Sequence, residues 1–393
     1  DQNVEIVVLA EEGSADERIT KFLDRYAALS DRLSLTYVDP VAHPEQASQY
    51  EAQTDSLVVQ CAATGKSEVI PFNEIITYTM TNYFSVTEST FDAEGQLTSA
   101  VDYVTSQTSR KIYTVTGHGE AELSDFASDM LQKANLELDS VSPLLSGAVP
   151  EDCDLLLANG PETDLSAEEL TMLQDYLAGG GQMLYLAGSS LEPLPNWEAL
   201  LESRGFDLAE GYIADPGSYY PQKGPFGICG VVNTGSQVAD GVDGGALTYF
   251  ANARGFLSLE DSEDSPWSVT EFLTTTDQAL AVTEDNSQTP GTYLLGAVSQ
   301  GDDGGRLTVL GSTSFLDGED LAASPSLANQ TLFVNAVTAG FDDMSNWTIP
   351  AKSLAVTYNT VRNPGLWSAV YILILPAGIL LWGFLFWLKR RKL

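Results

Sequence analysis

The chain has 393 residues, 44% of them hydrophobic, and is therefore long enough for about two or three domains with sizeable cores. Its 55 acidic residues outnumber 18 basic ones. The resulting formal net charge of −37 disfavours nucleic acid and anionic lipid headgroups as partners, because both are bound through Lys and Arg.

Residues 1–90 alternate between strand and helix patterns. Val4–Ala10 predicts a buried strand, Ala15–Ser30 has apolar residues at helical spacing, and Leu33–Asp39 predicts a second strand. The following stretch "SLVVQCAATGKSEVIPF" predicts a hairpin. This β-α-β-β-β order is typical of a small thioredoxin-like unit. Because it lacks a CxxC motif, we expect no thiol chemistry there.

The hairpin contains "ATGKSE", which is similar to the end of a phosphate-binding loop. Gly65, Lys66 and Ser67 match that motif, but Gln60 stands where a glycine is required, and no helix pattern follows. We therefore interpret the stretch as a turn between two strands and expect no ATPase activity in this chain.

Cysteine and histidine usage predicts neither a disulfide framework nor a metal site. Cys61, Cys153 and Cys229 are far apart and are expected to be buried free thiols, with one Cys153–Cys229 bridge as the alternative. With His43 and His118 as the only histidines, we expect no metal centre, and no cofactor is predicted.

Residues 91–342 repeat strand and helix patterns. A helix at Glu94–Ser106 precedes a strand at Lys111–Thr116, and a second apolar strand follows at Asp154–Pro161. A capping box formed by Ser166 and Glu169 begins another helix before the strand "QMLYLAG". Continuous apolar strands alternating with helices predict a doubly wound, mostly parallel α/β sheet of the flavodoxin-like kind.

From about 205 to 302 the composition becomes rich in Gly, Ser and Asp. Short strand patterns such as "ALTYF" and "ALAVT" occur there without a long helix pattern. This segment is predicted to be a β-rich insertion, after which "GRLTVLGSTSFLD" and "ANQTLFVNAVTAGF" restore the α/β pattern and complete the sheet.

A linker at 343–365 leads to an uncharged apolar stretch, 366–388. As a helix it would be about 34 Å long, enough to cross a bilayer core, and Pro376 is expected to kink it. Aromatic and basic residues near its ends are predicted to anchor it at the two interfaces, namely Trp367, Tyr371, Trp382, Trp387, Lys389, Arg390, Arg391 and Lys392.

The basic tail 389–393 predicts a cytoplasmic C-terminus and an extracytoplasmic bulk by the positive-inside rule. The chain begins at Asp1 without a methionine. We therefore expect that a cleaved signal peptide or a first membrane helix precedes it, and the sequence does not decide between the two.

The motif "GHGE" at Gly117, His118, Gly119 and Glu120 is the candidate binding site, because it follows a strand of the predicted parallel sheet. It lacks the third glycine of a dinucleotide fingerprint. Catalysis, binding of a ligand or partner, and a purely structural turn all remain open. No GxSxG nucleophile elbow occurs in the chain, and Ser189 and Ser190 precede prolines rather than a helix pattern.

Several blocks resemble the GldG-type auxiliary components of ABC transporters. They are "VDPVAHPEQA", "GQLTSAVDYVT" with "KIYTVTGHGE", "DCDLLLANGPETDLSAEELTMLQDYLAGGGQMLYLAG", and "GRLTVLGSTSFL" with "NQTLFVNAV". The resemblance covers most of the chain outside 205–302. It implies a class I glutamine amidotransferase-like α/β domain, without the amidotransferase Cys nucleophile, anchored in the membrane beside a separate ATPase and permease.

The expected function is therefore a non-catalytic, membrane-anchored, extracytoplasmic accessory subunit of an ABC transport system that binds a substrate or an envelope partner. The alternative is an anchored surface hydrolase or glycan-binding protein. It is suggested by His118 at a strand end and by the aromatic residues Tyr219, Tyr220 and Trp267 in the variable region.

Overall fold

The computed structural model describes residues 2–11, 13–50, 52–82, 85–106, 110–259, 265–317, 327–341, 349, 351–354, 368 and 370–391, with no side chains described at 79–87 and 353. The chain divides into two compact units. One comprises Asp1–Tyr78 with Thr90–Ser353, and the other comprises Thr79–Ser89 with Leu354–Leu393.

The first sheet has four strands in the order β2-β1-β3-β4. β1 and β2 are parallel and are connected through helix α1, whereas β3 runs antiparallel to β1. The bounds are β1 Val4–Leu9, α1 Glu17–Ala27, β2 Leu33–Val38, β3 Ser56–Cys61 and β4 Lys66–Pro71. α1 begins at its cap Asp16, whose side chain accepts a hydrogen bond from Arg18 N, and it buries Ile19 and Leu23.

The β3–β4 hairpin has the turn predicted at Gly65, whose φ of +72° suits glycine. Three short helical segments lie beside this sheet, namely α2 Pro44–Ala47, a 3₁₀ turn Ser48–Tyr50 and α3 Phe72–Ile75. Helix α4, Ala93–Thr105, packs against β3 and β4 through a face that includes Leu97 and Val104. The first sheet is therefore covered by a helix that the sequence pattern assigns to the second domain, and the predicted boundary at 90 stays a prediction.

A second, three-stranded sheet has the order β22-β6-β5. Its strands are β5 Ile76–Asn82, β6 Ser85–Phe91 and β22 Lys352–Ser353. β22 runs antiparallel to β6, with Lys352 opposite Phe91. Part of the predicted linker 343–365 is thus a strand, while most of that linker lies outside the described residues.

The large sheet has five parallel strands in the order β8-β7-β9-β10-β21. Consecutive strand residues belong to different cores: Leu155 and Leu157 pack in one apolar cluster, Leu156 and Ala158 in another. Helices α5 and α9 contribute to the first cluster, α7 and α8 to the second. The bounds are β7 Arg110–Val115, α5 Asp125–Lys133, β8 Leu136–Val141, α6 Pro143–Ser146, β9 Leu155–Asn159, α7 Ala167–Ala178, β10 Gln182–Leu186, α8 Pro195–Glu202, β21 Arg306–Leu310 and α9 Asn329–Thr338. Helices on both faces confirm the predicted α/β class with a parallel core.

Five antiparallel strands extend this sheet beyond β21. They are β11 Phe206–Leu208, β14 Val231–Val232, β16 Phe256–Ser258, β17 Trp267–Thr274 and β20 Leu294–Gly301. All five belong to the segment predicted as an insertion, which therefore continues the central sheet. In the described residues the ten-stranded sheet is half parallel, which corrects the prediction of a mostly parallel one. Antiparallel strands need only short connections, so the edge grows without further helices.

The remaining short elements of that segment form two small sheets. β12 Tyr212–Ala214, β18 Leu280–Val282 and β19 Gln288–Pro290 form one, and β13 Gly227–Ile228 with β15 Phe250–Ala251 forms the other. The segment also contains a 3₁₀ turn at Gln237–Ala239, and a second 3₁₀ turn, Thr313–Leu316, follows β21. The segment is β-rich, as the sequence predicts.

The C-terminal helix begins with a π-helical turn at Val370–Ile374 and continues as α10, Leu375–Arg391. The π turn ends two residues before Pro376, which has no backbone N–H to donate. Among the described residues, Val370–Arg391 is the one helix long and apolar enough to cross a membrane. Trp367 and Lys392, two of the predicted anchor residues, lie outside the described residues.

Candidate functional site

The GHGE turn follows β7 after a single intervening residue, Thr116, and lies at the carboxyl edge of the parallel strands. Gly117 has φ +120° and Gly119 has φ +82°, conformations that residues with a Cβ rarely adopt. A Cβ on Gly119 would lie 3.1 Å from Glu162 Cβ. The two glycines therefore fold the chain back on both sides of His118 and direct its imidazole inward.

The His118 side chain is enclosed between two carboxylates. Its Nδ1 lies 3.1 Å from Glu120 Oε1, and its Nε2 lies 3.2 Å from Glu169 Oε1. The three side chains are 6%, 4% and 3% exposed. The ring also meets Trp197 edge to face, with centroids 5.9 Å apart. We refer to His118, Glu120 and Glu169 as the buried triad.

Glu169 belongs to the capping box of α7. Its Oε2 accepts a hydrogen bond from Ser166 N at 2.9 Å, and its own N–H donates to Ser166 Oγ at 3.2 Å. The second carboxylate oxygen, Oε1, faces His118. The sequence predicts this capping box, but it gives no sign that Glu169 also pairs with the histidine.

Electrostatics favour a protonated imidazole in this triad. The hydrogen bond to Glu120 raises the pKa of His118 above its ordinary value. Burial acts to lower this pKa, but the negative charges of Glu120 and Glu169 raise it further, and the net shift is upward. Burial acts to raise the pKa of Glu169, but hydrogen bonds from Ser166 and the pairing with His118 outweigh it, and the pKa is lowered. An imidazolium donates from both nitrogens and keeps no lone pair for a metal or a substrate proton.

The main chain of His118 fixes the neighbouring loop as well. Its carbonyl oxygen accepts hydrogen bonds from Glu162 N at 2.8 Å and Thr163 N at 2.9 Å, and its N–H donates to Glu120 Oε2 at 2.8 Å. Glu162 and Thr163 lie in the loop after β9. The turn therefore ties together the loops that follow β7 and β9, and the prediction that it binds a ligand or partner stays a prediction.

Asp164 extends this connection to α8. Its carboxylate accepts hydrogen bonds from Asn196 N at 3.0 Å and Trp197 N at 3.2 Å, so it caps the first turn of the helix that carries Trp197. Sequence reasoning missed Asp164, Trp197 and the tertiary role of Glu169. The sequence shows the acidic residues at the start of α7, but it does not show which residues they contact in the folded chain.

The other candidates are distributed over separate parts of the fold. The backbone carbonyl of Ser189 accepts a hydrogen bond from Tyr212 Oη. The carbonyl of Ser190 accepts one from Arg254 Nη1 at 3.0 Å. Cys61, Cys153 and Cys229 are free thiols. Within the part of the chain that the structure describes, no group of three or more His, Cys, Asp or Glu residues could hold a metal ion.

The aromatic residues of the glycan-binding alternative do not form one platform. Tyr219 is 46% exposed, but Tyr220 donates from its hydroxyl to Thr248 O at 2.8 Å and packs edge to face on Tyr249. Trp267 lies in β17 of the large sheet. The described anchor residues Tyr371, Trp382, Trp387, Lys389, Arg390 and Arg391 all lie on the C-terminal helix.

Comparison with known proteins gives matches to solved structures. No protein-family profile and no curated protein sequence matches this chain. The N-terminal domain of mmIFT52 is similar with a TM-score of 0.46 and 18% identity, over 60% of this chain and 99% of that one. A ThuA-like protein from Bacteroides uniformis has a TM-score of 0.37 and 13% identity, over 60% of this chain and 93% of that one.

A glutamine amidotransferase from Thermotoga maritima has a TM-score of 0.37 and 11% identity, over 60% of this chain and 99% of that one. The structures similar to this chain therefore include amidotransferase-like and ThuA-like folds. At these scores and identities they assign neither a family nor a function, and the α/β class rests on the sheet described above.

Proposed function

We propose that this chain is a membrane-anchored, non-catalytic accessory subunit of an ABC transport system, of the GldG type. Its α/β body, with a thioredoxin-like first part and an amidotransferase-like second part, binds a substrate or an envelope partner. A separate ATPase and a permease supply the energy and the pathway. The body is extracytoplasmic and the C-terminus is cytoplasmic.

The observation that carries the proposal is the helix Val370–Arg391, which is apolar over its length and ends in Lys389, Arg390 and Arg391. Such a helix, with cations at one end, suits a single membrane crossing with that end in the cytoplasm. The acidic body has no phosphate loop at its hairpin turn, so transport energy would come from other polypeptides.

The geometry of the buried triad argues against His118 as a general base. A general base needs an unprotonated nitrogen within reach of its substrate. Both ring nitrogens of His118 face carboxylates, and the side chain is 6% exposed. The hydrolase alternative therefore gains little from this geometry. The ABC transport assignment itself depends on the sequence resemblance.

Affinity purification from native membranes tests the assignment. A tagged full-length chain, solubilised in mild detergent, should co-purify with an ATPase and a multi-span permease identified by mass spectrometry. A tagged unrelated single-span protein is the control. Repeated recovery of the chain without either partner, under conditions that preserve a known transporter complex, would refute the transport role.

Protease protection tests the orientation. In intact cells stripped of any wall barrier, added protease should degrade the acidic body and spare a tag placed after the last residue. Permeabilised cells, in which both parts are accessible, are the control. A protected body with a degraded tag would reverse the proposed orientation while leaving the membrane anchor in place.

A further inference from the structure

The charge of this chain is distributed unevenly along its sequence. Every Asp and Glu lies at or before Asp343. Residues 344–393 contain six basic residues and no acidic one, and four of the six are consecutive, Lys389, Arg390, Arg391 and Lys392. The net charge of −37 disfavours anionic partners for the acidic body, but the C-terminal end is locally cationic and attracts anions.

Three of these cations complete the C-terminal helix. Lys389, Arg390 and Arg391 are the last residues of α10, directly after the apolar stretch 366–388. In a bilayer crossing, the hydrocarbon core ends where that stretch ends, so the three side chains lie at the depth of the lipid headgroups. We refer to Lys389, Arg390 and Arg391 as the helix-end cations.

Two of the helix-end cations contact aromatic rings one helical turn earlier. The guanidinium carbon of Arg390 lies 5.5 Å from the centroid of the Phe386 ring, and that of Arg391 lies 5.3 Å from the centroid of the Trp387 ring. Both guanidinium groups therefore lie back toward the apolar part of the helix, the direction in which helical side chains point. Phe386 is 54% exposed and Trp387 52%, so the surface beside the two groups is open to lipid.

This stacking determines which atoms of the guanidinium groups remain for a ligand. A cation–π contact uses the flat face of the group, whereas its five N–H bonds lie in the plane of the group. Two of these N–H bonds match two oxygens of one phosphate. Because residues 344–393 contain no acidic side chain, no carboxylate of that stretch competes for them.

We propose that the helix-end cations bind the headgroup of an anionic phospholipid, with Arg390 and Arg391 donating hydrogen bonds to its phosphate. Lys389 adds a third positive charge. A lipid fits better than an acidic protein surface, because the same guanidinium groups adjoin exposed apolar rings that suit the upper acyl chains. A zwitterionic headgroup fits less well, since its own ammonium group offsets the phosphate. The inference rests on the membrane crossing in the proposed function and names the lipid chemistry that this crossing prefers.

Tryptophan quenching by brominated lipids tests the site on the reconstituted full chain. Bromine on an acyl chain quenches only tryptophans in contact with lipid, so Trp382 and Trp387 report which lipid surrounds this part of the helix. In mixed vesicles of phosphatidylglycerol and phosphatidylcholine, the wild type should prefer phosphatidylglycerol about fivefold, the factor expected from one interfacial cation. Equal quenching by the two brominated lipids would overturn the proposal and leave the cations to an acidic protein partner.

Two double variants separate guanidinium geometry from charge. Arg390→Gln with Arg391→Gln should remove most of the preference, and a preference equal to that of the wild type would contradict the site. Arg390→Lys with Arg391→Lys keeps both charges but loses the planar N–H edges, so its preference should be intermediate. A full preference in the lysine variant would show that charge alone acts and would overturn the role of the stacked guanidinium groups.

The matched control is Lys21→Gln with Arg25→Gln. Both residues are exposed on α1, and the change in net charge is the same as in the glutamine variant at the helix end. The control should keep the wild-type preference for phosphatidylglycerol. An equal loss in the control would show that the net charge of the chain, and not the helix end, sets the preference.

Flotation with the vesicles in a density gradient distinguishes failure of this site from failure of the membrane anchor. A wild type that does not float would refute the membrane crossing and the lipid site with it. A wild type that floats without a lipid preference would refute the lipid site alone. At about 1 M salt, where charges are screened beyond about 3 Å, the preference should fall while flotation persists. An unchanged preference at that salt concentration would contradict binding through charge.

Discussion

His118 and Glu169 form a buried pair across two loops of the parallel sheet, with Nε2 and Oε1 3.2 Å apart. Glu120 faces the other ring nitrogen at 3.1 Å. The pair connects the turn after β7 with the first helical turn of α7, so one charged side chain holds two carboxyl-edge loops in place. Removal of the His118 side chain would leave the buried carboxylates of Glu120 and Glu169 without a cation.

His118→Gln should lower the free energy of unfolding by about 2–4 kcal/mol, because breaking a buried ion pair leaves an uncompensated charge. Chemical denaturation followed by tryptophan fluorescence measures this change. His43→Gln is the matched control, because His43 is exposed and makes no side-chain capping bond. It should change stability by less than about 0.5 kcal/mol. Equal effects of the two substitutions would contradict a structural triad.

The triad should also give stability a definite pH dependence. The pKa of His118 is raised in the folded state, so the folded protein binds this proton more tightly than the unfolded one. Its contribution is complete below the unfolded pKa of about 6.5 and is lost as pH rises through the folded value. Wild-type melting temperature should therefore fall with rising pH relative to that of His118→Gln. A constant difference across this window would contradict the prediction.

The lowered pKa of Glu169 acts in the opposite direction. Its contribution is present above the unfolded pKa of about 4.3 and is lost as pH falls through the folded value. Glu169→Gln should therefore reduce the fall in melting temperature that the wild type shows as pH decreases below about 4.3. Ser166→Ala, which removes only the capping hydroxyl, should cost about 1 kcal/mol and weaken that acid dependence without abolishing it, because the Ser166 N–H and His118 still stabilise the carboxylate. Full loss of the acid dependence in Ser166→Ala would show that the pairing with His118 contributes nothing to it.

A double-mutant cycle measures the pairing itself. His118→Gln combined with Glu169→Gln should show a coupling of about 1–3 kcal/mol, the range for residues in one buried network. His118→Gln combined with Asp175→Asn is the control cycle, since Asp175 is exposed on the same helix, α7. Additive behaviour of the His118–Glu169 pair would show that the short distance contributes nothing to stability.

Gly119→Ala should destabilise the protein by about 2–3 kcal/mol. The residue has φ +82°, and a Cβ there would also lie 3.1 Å from Glu162 Cβ. Gly147→Ala is the control, because Gly147 has φ +69° but no atom within 4 Å of the added Cβ. It should lose only about 1 kcal/mol. Similar losses would mean that the turn adapts to the side chain.

Cys153 should react slowly with alkylating reagents. Burial raises the pKa of this thiol to about 11, so little thiolate exists at neutral pH. In the native chain, peptide mapping after iodoacetamide treatment should show labelling roughly a hundredfold slower than that of a small thiol. As a control, Cys153 should be labelled completely in urea, where the thiol is no longer buried. Fast native labelling would show that the site opens.

Much of the fold is predictable from local patterns. The hairpin at Gly65, the capped helix α7 and the apolar strands β9 and β10 follow from periodicity and turn residues. The segment 205–302 was harder to place, because short strands have the same local signal whether they form a separate sheet or extend an existing one. Only the pairing of β20 with β21 decides that they join the large sheet.

The sequence by itself determined the conspicuous GHGE turn, the capping box at Ser166 and the apolar C-terminal helix, because each depends on residues close together in the chain. The tertiary structure decided that His118 faces Glu169, and that Asn159 donates to Ala121 O. Those contacts depend on β7 lying beside β9. Strand order is set by the burial of both sheet faces under helices, and no local pattern contains it.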